Sequence, residues 1–102
     1  MQIQINYGDI DGSDALADAI EKAVQKELSN VADRITRVEV HLRDDKQKRR
    51  GPNDKRCLME ARIASERPLA VEARTNDIYH AVTEAAGKLG RAVTTKLDRM
   101  KS

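Results

Sequence analysis

Residues 77–100 read DIYHAVTEAAGKLGRAVTTKLDRM, and the fold is decided by how this stretch repeats. Ile78, Val82, Ala85, Leu89, Val93, Leu97 and Met100 recur at steps of three and four. That spacing lays one apolar stripe along a helix of about six turns. Thr75, Asn76 and Asp77 offer capping side chains at its start, and Asp77 suits the positive end of the helix dipole. Lys96, Arg99 and Lys101 gather at the other end, where cations are favoured. Off the stripe, Tyr79, Lys88, Arg91, Thr95 and Lys96 form a mixed outer face. A helix this long and this one-sided needs an apolar surface from the rest of the chain.

Working outward, Leu69, Val71 and Ala73 alternate with Glu72 and Arg74, a strand that follows a short turn at Ser65–Pro68. Arg56 to Ala64 alternates as well, with Cys57, Met59, Ala61 and Ile63 set against Arg56, Leu58, Glu60 and Arg62. Asp44 to Lys55 has no aliphatic side chain, and Gly51-Pro52-Asn53-Asp54 is turn chemistry. Ile35 to Arg43 is a further strand, with Val38, Val40 and Leu42 facing one way and Arg37, Glu39, His41 and Arg43 the other. Before it, Leu16, Ile20, Val24 and Leu28 mark a helix capped by Ser13 and ended by Ser29 to Asp33. Gln2 to Tyr7 alternates once more. The predicted order is β-α-β-β-β-α, an α+β fold. Two helices cover one face of a four-stranded sheet, and the other face meets water through Arg, Glu and His. The first two strands should be parallel through a right-handed crossover, and the later hairpins antiparallel.

The 102 residues predict a single domain spanning 1–102. With two Tyr, no Phe and no Trp, its core must come from Ile, Val, Leu, Met and Ala. Net charge is only +2, but it is unevenly spread. Residues 1–33 carry two Lys against seven Asp/Glu, and residues 34–102 carry seventeen Lys/Arg against ten Asp/Glu. Such a split hints at a polyanion on one side of the molecule. One cysteine, Cys57, excludes an internal disulfide and suits a reducing cytosol. The N-terminus has no charged segment leading into an apolar run, and no apolar run is long enough to span a bilayer. The expectation is a cytoplasmic protein with no membrane partner.

Catalysis finds no support in the residues. Ser13, Ser29, Ser65 and Cys57 stand in no context that supplies a base and an orienting group, and the five glycines form no phosphate-cradling loop. Cys57 and His41 are too few for a metal site and alternate to opposite faces. No enzyme, no cofactor and no small-molecule substrate is expected. Positive charge is the stronger signal. Lys46, Lys48, Arg49, Arg50, Lys55 and Arg56 concentrate on one loop, either along a phosphate backbone or in water. Arg37, His41, Arg43 and Arg62 project from the open sheet face, which meets RNA or is simply wet with Arg–Glu pairs. Lys88, Arg91 and Lys96 lie off the helical stripe. Tyr79 reads as a core-edge residue with a locally bonded hydroxyl.

The segment Asp77-Ile78-Tyr79-His80-Ala81-Val82 is similar to the Asp-x-Tyr-x-Ala-Ile motif that opens the last helix of the ribosome hibernation promoting factors. That family is also called ribosome-associated inhibitor A or sigma-54 modulation protein. Lys88-Leu89-Gly90-Arg91 is similar to its Lys-Leu-x-Arg, and Asp54-Lys55-Arg56-Cys57 resembles its shorter members. The resemblance covers essentially the whole chain and is to the short form. The family's Gly-Gly turn between the last two strands is here Ser65-Glu66-Arg67-Pro68, and the first helix is more acidic than expected. The resemblance implies a double-stranded-RNA-binding-like fold and a translation inhibitor seated in the mRNA and tRNA channel of the small ribosomal subunit. Carried over by position, its rRNA contacts would fall on Lys88, Arg91 and Lys96, and the free chain is expected to be a monomer. It also tips the basic loop toward RNA. The alternatives are a general structured-RNA-binding module, or a protein-interaction domain that uses Asp14, Asp18 and Glu21 on the first helix.

Overall fold

The computed structural model describes residues 1–45 and 54–101. Its elements are β1 (Gln2–Asn6), α1 (Asp14–Leu28), a 3-10 helix (Ser29–Arg34), β2 (Ile35–Asp44), β3 (Lys55–Ile63), β4 (Leu69–Thr75) and α2 (Ile78–Met100). The fold is α+β in the expected β-α-β-β-β-α order. The four strands form one sheet in the order β1-β2-β3-β4. β1 runs parallel to β2, with Gln2 opposite Arg37 and Asn6 opposite His41. The β2–β3 and β3–β4 pairs are antiparallel, with Leu42 opposite Cys57 and Cys57 opposite Ala73.

Both helices start on the side chains that the spacing singled out. Ser13 Oγ accepts from the Leu16 N–H at 3.0 Å. Asp77 Oδ1 accepts from the Tyr79 N–H at 2.8 Å and the His80 N–H at 3.4 Å, and Thr75 Oγ1 accepts from the Asp77 N–H at 3.1 Å. Each such cap contributes about 1 kcal/mol by satisfying donors that the helix itself leaves unpaired.

Alternation in the strands becomes a dry face and a wet one. Val38, Val40 and Leu42 of β2, and Cys57, Met59, Ala61 and Ile63 of β3, are buried. They pack with Leu16, Ile20, Val24 and Leu28 of α1 and Val82, Ala85, Leu89, Val93 and Leu97 of α2 in one core. Ile3 and Ile5 of the edge strand β1 are only half-buried. α2 buries more than its stripe, because it packs against α1 as well as the sheet. Ala86 and Gly90 are buried on the α1 side, and Ala81 is buried on the opposite flank of the stripe. At Gly90 a Cβ would stand 3.0 Å from the Glu27 carboxylate and 3.1 Å from its Cβ, so the missing side chain lets the two helices approach.

Two sequence expectations need correction. Met100 is 39% exposed and is no part of the core. Lys96 already pairs with Glu66 in the β3–β4 turn, so one helical turn later α2 has passed the end of the strands. Tyr79 is 44% exposed, and its hydroxyl has no hydrogen-bond partner among the described residues. It follows Ile78 by one residue, and the roughly 100° step of the helix swings it away from the sheet.

Backbone geometry is demanding at two turns. Gly8 has φ +59°, and a Cβ there would lie 2.5 Å from the Leu42 carbonyl oxygen, so only glycine fits. The β3–β4 turn is closed by the Glu66 N–H bonding the Ile63 oxygen at 3.0 Å, with Ser65 in its third position at φ +66°. That conformation costs a residue with a Cβ about 1–2 kcal/mol, and glycine is the usual occupant. Ser65→Gly should therefore stabilise the fold by roughly 0.5–1 kcal/mol, once the greater freedom of the unfolded glycine is subtracted. A denaturant midpoint that stays put or falls would show that the turn carries no such strain.

Candidate nucleic-acid interface

The basic residues singled out in the sequence do not converge on one surface. Lys88, Arg91 and Lys96 ride on α2, which covers the apolar face of the sheet. Arg37, Arg43 and Arg56 alternate with the core residues of β2 and β3, so they stand on the opposite face. Lys46, Lys48, Arg49 and Arg50 lie outside the described residues.

On α2 the three cations differ in how far they are already committed. Lys96 is paired with Glu66 at 2.8 Å, which ties the helix to the β3–β4 turn. Lys88 donates to the backbone oxygen of Glu72 at 2.9 Å and lies 4.0 Å from Glu84. Arg91 is exposed and makes no ion pair among the described residues. Its guanidinium leans back on Gly87, where a Cβ would come 3.5 Å from Nη1. Lys88 and Arg91 share a flank at i, i+3, and Thr95 and Arg99 continue it in steps of four. Arg99 is exposed, as is Arg67 beside Glu66 in the turn. Neither belonged to the set read from sequence. Arg99 was legible from helical spacing, whereas only the Lys96–Glu66 contact brings the turn that holds Arg67 to α2.

The open face is internally neutralised. Glu39 receives Arg37 at 2.7 Å and Arg62 at 3.3 Å, with His41 at 3.5 Å. Arg62 also meets Glu60 at 3.1 Å. Glu72 receives Arg56 at 2.9 Å and Arg74 at 2.8 Å, and Arg74 continues to the buried Asp45 at 2.9 Å. Arg43 reaches Asp45 only at 3.9 Å and is the freest cation of the three expected on this face. Desolvation alone would push the Glu39 and Glu72 carboxyls up. The arginine charges and hydrogen bonds around them outweigh it, and both end below the usual carboxylate value.

Lys55 closes the base of the β2–β3 hairpin, between Asp44 at 3.2 Å and Asp54 at 3.4 Å. Beside it opens a cleft of about 640 Å³, walled by Asn6, His41, Arg43 and Arg56 on one hand and Asp9, Asp44 and Asp45 on the other. Its charge is mixed, unlike a cradle built for phosphate alone. Cys57 is fully buried, and burial pushes its thiol up to about 12, so it stays protonated and unreactive. Among the described residues no three His, Cys, Asp or Glu side chains are grouped to hold a metal ion, and no helix is long and apolar enough to cross a membrane.

Comparison with known proteins places this geometry in a wider set. The family model described as Sigma 54 modulation protein / S30EA ribosomal protein matches residues 3–101. A ribosomal subunit interface protein from Coxiella burnetii has a similar structure, with a TM-score of 0.81 at 19% identity, covering 96% of this chain and 99% of that one. The N-terminal domain of Thermus thermophilus Protein Y is also similar, with a TM-score of 0.72 at 20% identity, covering 91% and 96%. At those identities the likeness is one of fold. No curated protein sequence matches the chain.

The network on the open face ties stability to pH. Because Glu39 and Glu72 ionise more readily folded than unfolded, their contribution is fully present above the ordinary value of 4.5 and is lost as pH falls through their lower folded values. Thermal midpoints measured from pH 7 down to pH 3 by circular dichroism should fall most steeply below about pH 4.5. Glu72→Gln should lower the midpoint at neutral pH and flatten that fall. Parallel profiles for the two proteins would mean that Glu72 gains nothing from its arginines.

Proposed function

The chain belongs to the sigma 54 modulation protein / S30EA ribosomal protein family, and on that premise we propose that it is a non-enzymatic ribosome-binding factor. In this reading residues 1–102 act as one unit that occupies the mRNA and tRNA channel of the small subunit and inhibits translation by shape and charge.

The observation that carries the reading is Arg91. It sits in the Lys88-Leu89-Gly90-Arg91 motif, exposed and without an ion-pair partner among the described residues, on the flank that Lys88 and Arg99 extend. A free guanidinium has its full fork of donors for a phosphate, and forming that contact breaks nothing inside the protein. Lys88 and Lys96 take part with the donors left over from Glu72 and Glu66, since an ammonium has three. Lys46, Lys48, Arg49 and Arg50, a basic run in the sequence, are proposed as further phosphate contacts. Arg37 and Arg56 contribute less, because a phosphate there would have to displace a carboxylate already at hydrogen-bond distance. With no aromatic interleaved in the basic run, recognition follows backbone geometry more than base identity.

Co-sedimentation with isolated ribosomal subunits tests this directly. Wild type should pellet with small subunits, and Arg91→Ala should bind measurably more weakly while remaining folded by circular dichroism. If about five phosphates are neutralised, log K should fall against log salt with a slope of roughly −3.5 to −4.5. A flat salt profile would overturn the phosphate-led mechanism. Equal affinity for any duplex RNA would point to a general RNA-binding module. Binding that is indifferent to loss of Lys88, Arg91 and Lys96 would point to the acidic face of α1.

A further inference from the structure

β4 is an edge strand, and the amide parity of the sheet says which of its groups lie open. The Asp45 N–H bonds the Asp54 oxygen at 2.7 Å, so even-numbered residues of β3 aim their backbone groups at β2 and odd-numbered ones at β4. Cys57 and Met59 thus bond to their partners Ala73 and Val71. The backbone groups of Ala70, Glu72 and Arg74 then point outward, and among the described residues no strand meets them. An edge of this kind is a template for another strand.

Lys88 breaks the template at its centre. Its Nζ donates to the Glu72 oxygen at 2.9 Å, on the side where the N–H of a fifth strand would stand. We propose that Lys88 is an edge guard, holding the chain monomeric by denying β4 to the β4 of a second copy. The edge is suited to its own likeness. In the antiparallel register that sets Glu72 opposite Arg74 of the other copy, acid faces base twice about the two-fold axis. The strand also contains no proline to prevent pairing. A cation reaching over the edge from α2 costs the sheet nothing and leaves an incoming strand to displace a charge-assisted bond. The role is independent of ribosome binding, since it acts on the free protein.

Analytical ultracentrifugation without RNA, on wild type, Lys88→Ala and the double variant Lys88→Ala/Ala70→Pro, tests the proposal. Ala70 is exposed and its N–H points outward, so proline there blocks an incoming strand while sparing the β3 ladder. Wild type should be monomeric. Lys88→Ala should dimerise with concentration, its dimer dissociation constant lower by roughly tenfold or more, and the double variant should return to monomer. Amide hydrogen exchange on the single variant gives a second reading, with Ala70, Glu72 and Arg74 gaining protection as the dimer forms. A folded Lys88→Ala that stays monomeric would overturn the guard. So would a dimer that leaves those three amides unprotected, or a wild type already paired through β4.

Discussion

Everything in this molecule depends on the sheet having only one dry face. The aliphatic side chains of β2 and β3 leave water on a single side, and two helices are needed to cover it. With no Phe or Trp available, the cover is made of aliphatic side chains, and α2 contributes Ala81, Ala85 and Ala86 besides Val82, Leu89, Val93 and Leu97. Small side chains bury little area each, so close approach has to replace bulk. Gly90 against Glu27 is where that requirement is most visible.

The same asymmetry governs the charges. Residues excluded from the dry face are crowded side by side on the wet one, and at strand spacing an arginine row invites a glutamate row between. Glu39 and Glu72 each serve two arginines, which leaves the open face held together more than held out. Arg91 is different, because one turn before it on α2 stand Gly87 and Lys88, neither of which offers a carboxylate. Availability of a cation here is set by whether a carboxylate or carbonyl stands within its reach, as Glu66 does for Lys96 and Glu72 for Lys88.

Much of this architecture is legible in the sequence. Ser13 and Asp77 were legible as caps because the donors they satisfy are fixed by chain position. Cys57 inward and His41 outward followed from alternation alone. The misses share one cause, which is that periodicity describes an element without its neighbours. The seven-residue stripe of α2 described a helix with one partner, while Ala86 and Gly90 are buried because α1 is a second. Met100 kept the period but outran the strands. The ion pairs of Arg56 with Glu72 and Lys96 with Glu66 span separate elements, so they required the register of β3 on β4 and the length of α2 together. At Ser65 the sequence did show a non-glycine where the related pattern has Gly-Gly, but its positive φ is a property of the closed turn.

The parallel pairing of β1 with β2 gives the chain an awkward order of birth. β1 is synthesised before the other three strands of its sheet, yet its partner residues run from Arg37 to His41, beyond the whole of α1 and the 3-10 helix. The later strands pair with neighbours that follow within a short loop or turn, whereas β1 must bridge a long loop whose closure entropy has to be met first. During synthesis, then, β1 and the acidic helix behind it emerge before β2, the strand on which β1 docks. Their place is made by residues translated after them, so the N-terminal third waits for the basic remainder before it can become part of a sheet.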